Sequence, residues 1–484
     1  MSVESKTDKT IELFGRREIT TPVDKITRRN LVQVLAKAVS IHKENSAEID
    51  YLYWYERGKQ PILSRTKEVR PEINNRIVEN HAAEITQFTS AYFLGEPVTY
   101  VRRGDRKEAS DAVGRLNDMM FFEKKASHDK RLATWMSLCG HGYRMVLPDK
   151  NYESGSDEAP FTLDIPDPRH TFVVYHSGFG HARVMGVREV FRYEDEKLKT
   201  WYCGYTKTHY FEVMDDKILT WKTHTLYDIP IYEYRLNMFR LGSFEPAIPL
   251  LNAINTMASN RVDGVEQFVQ SFLKFINCEV DEEKLTKLKQ LGAIVIKSMD
   301  GVNADVGIVS QELNQTQTQT LVDYMYEQVL IICGMPSTTK GGSSTSDTGQ
   351  AVFLRDGWSQ CEARAKDTEG LFEESEREFL RLVLRIARDK SELDLKLSEV
   401  ECKFTRRQHD NLLTKTQALR NMLESGLAPD VAIATSGLFN DPMDVAQQSA
   451  EYLKKWTYRE PVTVKTENPV EETPTKSTAV EKSP

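Results

Sequence analysis

Residues 334–349 read Gly-Met-Pro-Ser-Thr-Thr-Lys-Gly-Gly-Ser-Ser-Thr-Ser-Asp-Thr-Gly, and Lys340 follows Gly334 at nearly the distance a phosphate-binding loop uses. That motif needs glycine where Thr339 stands, serine or threonine where Gly341 stands, and a buried strand ahead of it. Residues 315–333 carry a helical pattern instead, so the stretch reads as a flexible polar connector rich in glycine and serine. The ten histidines are scattered, and neither HExxH nor GxSxG occurs, so zinc-protease and serine-hydrolase chemistry have no support. Cys139, Cys203, Cys278, Cys333, Cys361 and Cys402 form no CxxC pair and read as reduced, buried thiols. Asp164, Asp167 and His170 could line a metal site, and Asp164 and Asp167 alone could supply the paired acidic ligands of a nucleotidyl transferase. The two prolines among them make a turn with Asx caps the simpler reading, and Asp300 and Asp305 fit hairpin turns in the same way. Arg377, Arg381, Arg385 and Arg388 share one helical face, which the helix dipole and a Glu373–Arg377 pair explain without a ligand. No catalytic constellation, metal site or cofactor is expected.

The elements that must carry this loop are mostly helical, and the fold class is α+β. From residue 350 to 388 apolar and small side chains recur at four- and three-residue steps through Leu354, Trp358, Cys361, Ala365, Thr368, Phe372, Ser375, Phe379, Leu382 and Ile386. A helix of that length runs roughly 58 Å, longer than one compact core needs. Helices are also expected from the pattern at residues 31–41, at 47–58, at 74–94 and over 109–140. The period changes to two over 142–231, where runs such as 143–147, 171–175, 184–191, 199–203 and 209–213 predict an antiparallel sheet. A charge-poor helix follows over 248–276. An insert at 277–313 reads as a short helix (281–291), a strand (293–297), a turn at Asp300-Gly301 and a second strand (306–309), and a helix returns over 315–333. Such a nub is too small to stand alone, which calls for a neighbouring copy. Residues 1–20 are polar and read as loose, and 458–484 are rich in Glu, Lys, Thr and Pro and read as disordered.

Composition bounds the rest. The 484 residues, 40% hydrophobic, suit about three domains of roughly 150 residues. A formal charge of −8 argues against a protein that coats nucleic acid with a basic surface, although it permits one past which DNA slides without being gripped. No run approaches about 18 apolar residues, so no membrane span and no membrane partner are expected.

Several segments together resemble one family, the portal proteins of tailed double-stranded DNA bacteriophages. They are residues 53–63 (Tyr-Trp-Tyr-Glu-Arg-Gly-Lys-Gln-Pro-Ile-Leu), 74–80 (Asn-Asn-Arg-Ile-Val-Glu-Asn), 91–99 (Ala-Tyr-Phe-Leu-Gly-Glu-Pro-Val-Thr), 229–234 with 242–245, and 343–351. The resemblance spans roughly residues 45–450, and five signatures in the same order make it specific. It implies a wing (21–245, with the β-rich module at 142–231), a stem of helices 246–276 and 314–333, a clip at 277–313, a tunnel loop at 334–349, a long wing helix at 350–390 and a crown at 391–457.

The resemblance also implies a ring of twelve subunits at one capsid vertex, with double-stranded DNA passing through it for packaging, retention and ejection. Its partners would be the terminase large subunit, then head-completion or adaptor proteins, with major capsid and scaffolding proteins around it. The protein would reside in the virion, and in the host cytoplasm during assembly. Ser337, Thr338, Thr339, Lys340, Gly341, Gly342, Ser343 and Ser344 would face DNA, with Lys340 the best phosphate contact. Lys284, Lys287, Lys289, Lys297, Asp300 and Asn303 would dock the motor and adaptors, and Trp358, Phe372 and Phe379 would pack between subunits. Two alternatives stay open on composition: a minor capsid or scaffold protein without a DNA channel, and an enzyme hidden in the β-rich module.

Overall fold

The computed structural model describes residues 15–68, 70–104, 108–156, 158–194, 197–269, 272–276, 305–309, 315–336, 357–405, 412–439 and 442–453. Two compact units divide the chain, residues 1–409 and 410–484.

In the larger unit, helix α1 (Leu31–Glu56) is continuous where the apolar pattern predicts two helices. The pattern breaks at His42 and Asn45, both buried. His42 Nε2 donates to the Arg169 carbonyl at 3.0 Å, and Asn45 exchanges two hydrogen bonds with the Arg17 backbone. Polar side chains can occupy core positions when distant backbone satisfies them, and periodicity alone cannot foresee that. Residues 15–20 are likewise not loose. Arg16 is buried between Glu48 and Glu245, and strand β1 (Thr20–Thr21) adds in parallel to β5 (Thr171–His176).

Helix α2 (His81–Leu94) starts seven residues later than the pattern predicts. The helix expected over 109–140 is two, α3 (Glu108–Phe122) and α4 (Lys125–Cys139), parted at Lys124, whose φ of 54° is left-handed. The period-two region is sheet as expected. Strands β6 (Arg183–Glu194), β7 (Lys197–Tyr205), β8 (His209–Met214) and β9 (Lys217–Thr223) continue antiparallel from β5 in the order β1-β5-β6-β7-β8-β9. A second sheet orders β10 (Ile231–Arg235), β3 (His141–Pro148) and β4 (Phe161–Asp164), and a ribbon joins β2 (Thr99–Arg102) to β13 (Val400–Lys403).

Helix α5 (Ile248–Val269) is shorter than predicted. Its expected last turn is strand β11 (Phe272–Ile276), paired antiparallel with β12 (Asp305–Val309) in the register Phe272↔Val309 to Ile276↔Asp305. Phe-Leu-Lys-Phe-Ile is a short apolar run that suits either period, and its partner strand decides. The helix expected at 281–291 and the strand at 293–297 lie outside the described residues. Helix α6 (Gln315–Cys333) has the predicted bounds. It shares a core with α5 through Leu251, Ile254, Val322, Met325, Val329 and Leu330.

Helix α7 (Trp358–Ser391) is the predicted long helix but starts after a left-handed Gly357 rather than at 350, because φ +80° there ends any helical run; residues 350–356 lie outside the described set. All eight seam positions from Cys361 to Ile386 are buried, and the seam packs on β10, β3 and β4 of the same chain. Phe372 and Phe379 are wholly enclosed there, which leaves no surface on either for the inter-subunit packing expected of them. The crown expected over 391–457 is divided between the two units. Leu393, Leu395, Val400 and Cys402 pack into the larger unit's core, while α8 (Leu412–Glu424), α9 (Pro429–Ser436), α10 (Pro442–Gln448) and α11 (Ala450–Leu453) form the smaller one. In that unit Ala432 and Ile433 are buried.

Candidate functional site

The residues proposed to face DNA, Ser337 to Ser344, lie outside the described set, but both ends of the segment that carries them are defined. Helix α6 closes in a Schellman motif: the Gly334 N–H donates to the Ile331 carbonyl at 3.1 Å and the Met335 N–H to the Leu330 carbonyl at 2.8 Å. Gly334 takes φ +68°, the left-handed region that favours glycine, and a Cβ on it would lie 2.5 Å from Arg364 Cδ, so a side chain there would strain the backbone and displace that arginine. Arg364 itself reaches from α7 to the end of α6, donating from Nη1 to the Ile332 carbonyl at 2.9 Å. A cation thus sits at the negative end of a helix whose last turn has none of its own.

The return of the chain is held in the same place. Gly357, with φ +80°, approaches so closely that a Cβ there would touch Pro336 Cα at 3.8 Å. Pro336 and Gly357, the described residues that bracket 337–356, therefore lie at adjacent points. Trp358 follows and packs on Phe88 and Tyr92 of α2, with centroids 6.1 and 5.9 Å away. Tyr92 Oη donates to Glu362 Oε2 at 2.9 Å one turn further on. Burial pushes the thiol of Cys333, at the end of α6, up to about 12, so it is an uncharged packing group.

What fixes α7 is a buried ionic cluster that the sequence does not advertise. Arg144 of β3 contacts Glu376 of α7 at 2.6 Å and Asp129 of α4, while Lys125 contacts the same two carboxylates at 2.6 Å (Asp129) and 3.3 Å (Glu376). Tyr100 Oη and Tyr234 Oη donate to the two Glu376 oxygens at 2.5 and 2.6 Å. Two cations and two anions close a neutral set, and the rings of Tyr234, Phe372 and Phe379 lie against the guanidinium. Burial would raise the Glu376 pKa, but Arg144, Lys125 and the two phenols outweigh it and hold the carboxyl at about 2. Only the spacing of Lys125 and Asp129, four apart on one helix, is visible in the sequence.

The chain matches the family described as phage portal protein, SPP1 Gp6-like, over residues 35–455. It belongs to that portal family. Among solved structures, the neck of an empty gene transfer agent particle has a similar fold, at a TM-score of 0.45 and 11% identity over 74% of this chain and 90% of that one. A chain of the virion of a native gene transfer agent particle gives 0.42 and 12% with the same coverage. A search of the curated proteins finds no match.

In this portal protein the remaining expected site residues are distributed as follows. Lys284, Lys287, Lys289, Lys297, Asp300 and Asn303 lie outside the described residues. Of the three aromatic residues expected between subunits, Trp358 is half-buried at the loop's return and the two phenylalanines are enclosed. Asp167 accepts the Arg169 N–H at 2.8 Å, an Asx turn, and its carboxylate also pairs with the Arg169 guanidinium. No cluster of His, Cys, Asp or Glu among the described residues could hold a metal ion. Arg377 pairs with Glu373 at 3.3 Å, and Arg385 donates to the Leu226 carbonyl.

Proposed function

We propose that this portal protein closes into a ring of twelve subunits, passes double-stranded DNA through its centre, and presents residues 337–349 to that DNA. The observation that carries the reading is the anchorage of the loop. Gly357 lies against Pro336, so the described residues on either side of segment 337–356 sit side by side. Lys340 and Asp347 are the only charges between 334 and 349, so Lys340 is the loop's cationic contact for passing phosphates. One weak contact per subunit is multiplied by the ring, while a net charge of −8 keeps the remaining surface from gripping.

Ring closure is supported by apolar residues left exposed on the paired helices, Val262 and Val265 on α5 and Leu321, Tyr324, Ile331 and Ile332 on α6. Repetition at near-helical spacing in each helix suits burial against a neighbour. The insert between β11 and β12, with Lys284, Lys287, Lys289, Lys297, Asp300 and Asn303, would meet the terminase large subunit during filling and head-completion proteins afterwards. Capsid and scaffolding proteins would surround the ring, which assembles in the host cytoplasm. No catalytic step is assigned to this chain.

Electron microscopy of the purified protein tests the ring: closed rings with a central hole are expected, and monomers or open filaments overturn it. Lys340→Ala and deletion of residues 337–346 test the loop. Reduced genome packaging or retention is expected, and unchanged packaging and retention in both rule out a DNA contact there.

A further inference from the structure

Residues 74–80 read as the start of a helix but form none, and what holds them is a ladder of side chains on α5. The Glu79 N–H donates to Asn255 Oδ1 at 2.8 Å, the Ile77 N–H to Ser259 Oγ at 2.9 Å, and the Asn75 N–H to Asp263 Oδ1 at 2.8 Å. Alternate strap residues meet every fourth helix residue, with the strap running antiparallel to the helix. Two extended residues advance about 6.6 Å and four helical residues about 6.0 Å, so three rungs stay in step with little drift. Ser259 spends its own proton on the Asn255 carbonyl, at 2.8 Å, which leaves its lone pair for the strap.

The two ends of this ladder differ. At one end Asn255 is buried and donates to Gln60 Oε1, and the Gln60 amide donates in turn to the Tyr55 carbonyl and to Asn80 Oδ1. Asn80 closes the set by donating to the Glu56 carbonyl at 2.7 Å. Every member is neutral, and Asn255 and Gln60 at its centre are buried. At the other end Asp263 pairs with Arg65 at 3.2 Å and with Lys67, whose side chains retain 17% and 26% of their exposure. Asp263 itself is buried, but its two cations open to water, so screening acts on that end through them.

We propose that the strap formed by residues 65–68 and 70–80 is a releasable latch on α5, hinged at Asn255–Gln60 and locked by Asp263 against Arg65 and Lys67. Opening begins at the Asp263 end and frees the helix beyond Ser259, next to the β11–β12 pair, while the hinge keeps the strap attached. The inference stands on contacts within one chain and does not depend on DNA passing the loop. Its use in a portal ring, letting α5 move against the rest of its subunit, rests on the portal reading.

Site-resolved amide hydrogen exchange on the full chain tests it. With Asp263→Ala the Asn75 amide should exchange about tenfold faster or more, Ile77 less so and Glu79 least, because a bond to a charged acceptor is the one removed. Asp263→Asn keeps an acceptor for Asn75 but loses the lock. Raising NaCl from about 0.05 to 0.5 M should therefore speed Asn75 exchange in the natural chain and leave Asp263→Asn unmoved. An unchanged Asn75 rate in Asp263→Ala, an equal acceleration of all three amides, or a salt response that survives in Asp263→Asn would each overturn the latch. Electron microscopy of the same variants reads ring closure separately, so loss of the ring and loss of the latch are told apart.

Discussion

At the scale of single residues, the stability of this subunit is concentrated in charges that have been taken out of water. Glu376 carries two ion pairs and two phenol hydrogen bonds in the middle of α7. Removing its charge leaves Arg144 and Lys125 buried with Asp129 alone, so Glu376→Gln should cost about 3 kcal/mol, read as a lower denaturant midpoint. Acid should act on the same groups with a definite sign. Burial lowers His42 to about 4 and His141 to about 3, against 6.5 in the unfolded chain, so between those values the unfolded state binds more protons. Stability is thus complete above pH 6.5 and falls as pH drops below it. Glu376 and Glu233, both held at about 2 against 4.5, add a second loss below pH 4.5. Melting temperature recorded against pH should show both limbs, and His42→Leu should flatten the upper one. Beyond the Lys125–Asp129 spacing these partners were not legible, because Glu376 meets Tyr100 and Arg144 across more than two hundred residues of chain and sequence spacing reports only local neighbours.

At the scale of elements, legibility followed the regularity of the pattern. The α7 seam was readable because apolar and small residues recur at helical spacing, α6 from the apolar pattern of its second half, and the antiparallel sheet from alternation and turns. The failures share a cause. The strap at 74–80, the continuity of α1 and the strand β11 are each decided by a partner far along the chain: Asp263, Ser259 and Asn255 for the first, Arg17 and Arg169 for the second, β12 for the third. The loop base was half visible, since Gly334 was evident as an end of the loop while Arg364 was not. Gly334→Ala should destabilise the end of α6 by about 1–2 kcal/mol through left-handed strain and collision with Arg364. Exchange at the Met335 amide should report it. The double variant with Arg364→Ala should cost less than the sum of the two single ones, because the collision is shared.

For the whole molecule, the question is what covers the apolar residues that α5 and α6 leave open. Val265 and Tyr324, at 53% and 58% exposure, belong to the helix faces that a neighbouring copy in a ring would cover. In a ring the interface is heterologous, so one substitution is repeated at every junction. Tyr324→Asp should leave the isolated subunit as stable as before, because the side chain already faces water on its outer side. It should cost each junction about 2 kcal/mol or more, because a carboxylate would be buried there without a partner. Losses of that size around a closed ring accumulate with every subunit, so the variant should run as a folded monomer or short oligomer by mass photometry at a concentration where the natural protein is ringed. Unaltered circular dichroism and melting with lost rings would mark α6 as part of the junction. Rings that persist in Tyr324→Asp would move the junction elsewhere on the subunit and remove the argument for closure made from this face.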